Sequence, residues 1–152
     1  MLDVIYATRE KKWNTVTMQL VTGKHKDQDF RKKNVFYVEP NLFDVFYLKL
    51  LDGNKESALA DSKNVVITES LGHKYFGDAS PSEMVGKSIL MGSNNPNQAQ
   101  IAAVVQDLPA QSHFHFDMLV YEPGMNAEIF ENDSWSWSIL YTYVKFPKEK
   151  QQ

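Results

Sequence analysis

The chain of 152 residues contains no cysteine. That absence removes a disulfide framework, a thiolate zinc site and a cysteine nucleophile together. It leaves the redox compartment open, since a cysteine-free chain survives in oxidising or reducing surroundings. No run approaches the ~20 apolar residues that a membrane-spanning helix requires, and no signal peptide is visible at the start. The polar tail, Lys148 to Gln152, reads as a cut or frayed end. An excess of positive charge is missing as well: the net charge is -3 and the pI is near 5.8. Phosphate binding needs a concentrated basic surface, so nucleic acid is not expected as a partner. The basic cluster that stands out, Arg31-Lys32-Lys33, precedes an apolar strand and reads as a solvated loop. What the chain does have is apolar and aromatic residues, 43% and 12%. That suffices for a core in one domain or in two small lobes sharing one.

Strand signals dominate the pattern. Val16, Met18 and Leu20 alternate with polar neighbours, Gly23 to Asp29 reads as a loop, and Val35 to Val38 is a strand ended by Pro40. Leu42, Phe43 and Phe46 have one-turn spacing and predict a short helix over 40–46. Leu48 to Leu51 reads as a strand closed by Asp52-Gly53, and Glu56 to Ala60 as another helical turn. The clearest unit is "VVITESLGHKYFG", 65–77: a buried strand, Thr68 as N-cap, an apolar stripe of Leu71, Tyr75 and Phe76, and Gly77 as stop. Gly72 costs that helix about 1 kcal/mol relative to alanine, which suggests close packing against the sheet. "SPSEMVGKSILMG" reads as a loop leading to a strand at Ser88 to Met91. Further strands are expected at Ala99 to Gln106, Phe114 to Tyr121 and Ile139 to Phe146, with a short helix around Asn126 to Phe130. Short helices between mostly hairpin-connected strands predict an α+β fold, with a mixed and largely antiparallel sheet.

Two stretches invite chemistry. In "SHFHFD", 112–117, an extended backbone places His113, His115 and Asp117 on one face and Phe114 and Phe116 on the other. Two imidazoles and a carboxylate are a plausible metal half-site for a stand-alone metal-dependent hydrolase. A metal needs three or four converging ligands, and same-face neighbours on a strand point in parallel. The preferred reading is therefore a polar face in water with Phe114, Phe116 and Met118 in the core. "WSWSILYTYVKF" aligns Trp135, Trp137, Tyr141 and Tyr143, which makes a contact surface for a partner or a sheet face buried under a helix. "Gly86-Lys87-Ser88" copies the end of a phosphate-binding loop, but Pro81 stands where the first glycine belongs and Lys87 opens a strand. No GxSxG elbow is present.

Five segments, in order, carry a resemblance. "VEPNLFDVFYLKLLDGNKESALADSKNVVITESLGHKYFGD" resembles the extracytoplasmic core domain of MacB/FtsX-type ABC-transporter permeases, in the variety common in Bacteroidetes. The matching elements are Glu39 to Gly53, Val65 to Gly77, Val85 to Ile89, Val104 to Met118, and Trp137 to Tyr143; the resemblance is strongest over 35–146. There are departures. The family's "NPIGK" loop is here "SPSEMVGK", longer by three residues, and the family's usual alanine is Gly72.

The resemblance implies a non-catalytic domain of 1–152, or an excised part of one, at the periplasmic face of the bacterial inner membrane. It implies an ABC ATPase reached through the parent's transmembrane helices, a second permease copy, and a lipoprotein, peptide, lipid or other periplasmic protein as partner. It implies no cofactor and no metal. Trp135, Trp137, Tyr141 and Tyr143, with the loop 106–113, are the expected contact surface. The alternatives are the metal-dependent hydrolase and a soluble ligand-binding module.

Overall fold

The computed structural model describes residues 6–13, 16–20, 29–32, 34–92, 96–112, 114–121 and 140–145. The first strands are β1 (Tyr6–Trp13), β2 (Val16–Leu20), β3 (Asp29–Lys32) and β4 (Val35–Val38). A helical turn α1 (Leu42–Val45), strand β5 (Leu50–Gly53) and a second turn α2 (Lys55–Ala58) follow. Then come β6 (Asn64–Thr68), α3 (Glu69–Phe76), α4 (Pro81–Met84), β7 (Ser88–Met91), β8 (Asn97–Val105), β9 (Met118–Tyr121) and β10 (Leu140–Lys145). The sheet order is β10-β1-β4-β9-β6-β8-β7-β2-β3, with β5 added on β8. Pairing is antiparallel except for β4 with β9 and β6 with β8. The fold is α+β with a mixed, largely antiparallel sheet, as expected.

Few neighbours in this sheet are hairpins, which corrects the expectation of mostly hairpin connections. β1–β4 and β2–β3 prove to be two stretches of one long hairpin. Trp13 faces Val35 and Val16 faces Lys32, a step of three residues on both strands, so both ladders keep one register. Since β2 also pairs with β7 and β4 with β9, the ladders form a closed circuit through β6 and β8. Arg31 and Lys32 therefore lie in a strand, β3, and not in a solvated loop; charged residues on a terminal strand also discourage stray pairing.

The sheet buries both faces. On one, Val35, Val65, Ile67, Ile101, Val104, Met118 and Val120 pack beneath Leu71 and Tyr75 of α3 and Met84 of α4. On the other, Phe36, Val38, Val66, Ala103, Val105 and Leu119 pack beneath Leu42, Ala58, Leu59, Phe114 and Phe116. Strict alternation would put Ile101 and Ala103 on one face. A register shift prevents it: Val65 pairs with Ile101 but Val66 with Ala103. The extra residue, Ala102, is a bulge that resets the faces of β8.

The segment from 79 to 87 is not a plain loop. Pro81–Met84 forms a helical turn, in which the Glu83 carboxylate accepts from Ser80 N (2.7 Å) and Ser80 Oγ (2.8 Å). Those bonds, the backbone one foremost, hold the Glu83 carboxyl below the usual glutamate range. α4 places Met84, fully buried, against Gly72. A Cβ on Gly72 would overlap Met84 Sδ and lie 3.0 Å from Met84 Cε, with Ile67 Cδ1 of the sheet farther off at 3.5 Å. The sulfur of Met84 thus occupies the space that an alanine methyl at position 72 would fill.

Gly72→Ala is expected to lose about 1 kcal/mol, because overpacking outweighs the ~1 kcal/mol gain in helix propensity. In a Met84→Val background the same change should stabilise by about 1 kcal/mol. Urea unfolding of the four proteins checks this; a stabilising Gly72→Ala in the parent background would contradict the account.

Candidate functional site

The segment between β8 and β9, residues 106–117, joins the ends of the central strands and is pinned at each of its own ends. Gln106 N donates to Lys49 O (2.8 Å). Asp107 then reaches the first turn of α3, where its Oδ2 accepts from Ser70 N (3.2 Å) and Ser70 Oγ (2.7 Å). α3 needs such acceptors, because the first N–H groups of a helix have no partner inside it. Thr68 Oγ1 supplies the other, accepting from Leu71 N at 3.4 Å. A carboxylate there is also favoured by the helix dipole. At the far end, Asp117 N donates to Asn34 O (2.8 Å), and Asp117 O accepts from Thr68 N (3.1 Å).

Between these anchors, Ser112 N closes a turn on Pro109 O (2.9 Å). Phe114 and Phe116 are buried, while Gln106, Asp107 and residues 109–111 are exposed. Phe114 sits in an aromatic cluster: Phe46 stacks on it at 5.0 Å between centroids, and Phe36 meets it edge-on at 5.3 Å. Phe116 follows at 5.3 Å, and Tyr143 of β10 at 6.2 Å. Tyr143 also meets Phe46 edge-on at 4.8 Å. Such pairs contribute about 0.5–1.5 kcal/mol each beyond their burial.

Phe114, Phe116 and Met118 are in the core, as expected, and His115 is exposed. Residues 114–117 lie outside the strand, however: the extended run was expected from Phe114, and β9 begins only at Met118. Asp117 is half-buried and its backbone is committed at both N and O. Burial pushes the Tyr75 phenol up, and the charge of Asp117 adds to it. Among the described residues no group of three His, Cys, Asp or Glu converges on one point. His113 lies outside them.

Of the aromatic row, Trp135 and Trp137 lie outside the described residues. Tyr141 lies opposite Glu10 in the β1–β10 ladder. Tyr143 is half-buried in the cluster just described. One aromatic that the sequence reading passed over is Tyr47, 90% exposed between α1 and β5. Nothing in "LFDVFYLKL" distinguishes it from the half-buried Phe46 beside it.

Residues 6–152 match the family model of the MacB-like periplasmic core domain. The chain belongs to this family. Among solved structures, a domain named as part of a permease protein from Porphyromonas gingivalis superposes with a TM-score of 0.76 at 29% identity, over 96% of this chain and 57% of that one. The periplasmic region of MacB from Actinobacillus actinomycetemcomitans superposes with a TM-score of 0.64 at 17% identity, over 96% and 59%, which speaks for the fold alone. The chain thus spans less than two thirds of either. A search of curated proteins finds no significant match.

In this MacB-like domain the five segments that carry the family resemblance meet one another. Asp107 ties the fourth to the second through Ser70, and Phe114 ties it to the first and fifth through Phe46 and Tyr143. Met84, just before the third, seats it on the second through Gly72. These motifs assemble the scaffold; among the described residues none brings together a nucleophile, a base and an oxyanion donor, the minimum for covalent hydrolysis. Asp107→Ala should cost about 1 kcal/mol through loss of the α3 cap, and Asp107→Asn less, since one acceptor remains. Urea midpoints of both variants measure this; equal losses would mean that the carboxylate charge carries the effect.

Proposed function

We propose that this chain is a non-catalytic extracytoplasmic module of an ABC-transporter permease, and a part of a larger extracytoplasmic region. The family match over residues 6–152 carries this reading. The permease relative, which extends well beyond the region matched here, supports the second half of it. ATP would be hydrolysed on a cytoplasmic ATPase, and a second permease copy would complete the transporter. This domain would move as a rigid lever with nucleotide state, handling a substrate or a periplasmic partner protein. The pinned segment 106–117 suits a lever, because its described residues couple the central strands, α3 and β10. Its exposed turn, 109–111, with Trp135, Trp137, Tyr141 and the outer edge of Tyr143, is the contact surface in this reading. Tyr47 joins that surface on the strength of its exposure.

The chain itself holds no cysteine, so labelling at one introduced here is read against the unsubstituted parent protein. Gln111→Cys in the parent protein is expected to react with a membrane-impermeant maleimide in intact spheroplasts. Labelling of this site only after lysis would place the domain in the cytoplasm and end the proposal.

A further inference from the structure

We draw no further inference here: the strongest candidate, the surface patch between α1 and β5 where Tyr47 stands 90% exposed, belongs to the contact surface already proposed, and nothing in the structure shows what covers it.

Discussion

Phe114→Ala is expected to destabilise the domain by about 3–5 kcal/mol, the range for truncating a buried phenylalanine. Phe114 is 3% exposed and contacts four other rings. Those rings come from β4, the end of α1, the 106–117 segment and β10, elements far apart in sequence. Removing the ring therefore leaves a cavity at a junction, where no single element can relax to fill it. Domains in this size range typically have total stabilities of 5–15 kcal/mol, so the variant would be close to unfolding at physiological temperature. His115→Ala, one residue on and exposed, should stay within about 0.5 kcal/mol of the parent. Urea unfolding of both variants measures the contrast. A loss below about 1 kcal/mol for Phe114→Ala would mean that the segment is a dispensable loop and not a brace.

Gly53→Ala should cost roughly 3 kcal/mol or more, for two independent reasons. Its φ of +98° lies where side chains are strained. A Cβ there would also overlap the carbonyl oxygen of Ala102 and lie 2.7 Å from Ala103 Cα. Both obstacles are backbone, and both belong to the bulge that resets the faces of β8. β5 pairs with β8 across that irregularity, Gly53 opposite Ala103, with its own register shift between Leu50 and Asp52. The glycine is thus what allows a strand to approach a bulged neighbour. Gly77→Ala is the control: its φ is also positive, at +64° with ψ at -133°, but a Cβ would meet nothing within 4 Å, so only backbone strain of about 1–3 kcal/mol remains. Thermal unfolding of the pair reads the difference directly; equal losses would remove the steric half of the argument.

Local units were legible in the sequence and distant pairings were not. The β6–α3 unit was read correctly down to its caps because strand, cap, stripe and stop all fall within 65–77. α4 was passed over as loop, although Ser80, Pro81 and Glu83 form a recognisable helix start. Its four residues show no periodicity to draw attention. β1 escaped for a different reason. "YATREKKW" lacks alternation, and long-range pairing with β4 and β10 makes it a strand. The strand expected over Leu48–Leu51 begins at Leu50 and takes in Asp52 and Gly53, since the bulge on β8 accommodates residues that normally end strands. The hairpin's continuity, the parallel pairs and the circuit of ladders depend on contacts that periodicity does not encode. At the candidate site, alternation correctly sent Phe114 and Phe116 inward and His115 outward. The aromatic cluster that unites the family's segments had no signature beyond the phenylalanines themselves. The helix expected around Asn126 to Phe130 lies outside the described residues.

The central claim is that this chain is part of a membrane permease, and reading the coding sequence on both sides of it is the most direct test. The account predicts one apolar stretch of ~20 residues upstream and several downstream, each long enough to cross a bilayer. An in-frame start and stop at these ends, with no such stretches, would contradict it, and His113, His115 and Asp117 would then return as candidates for metal chemistry.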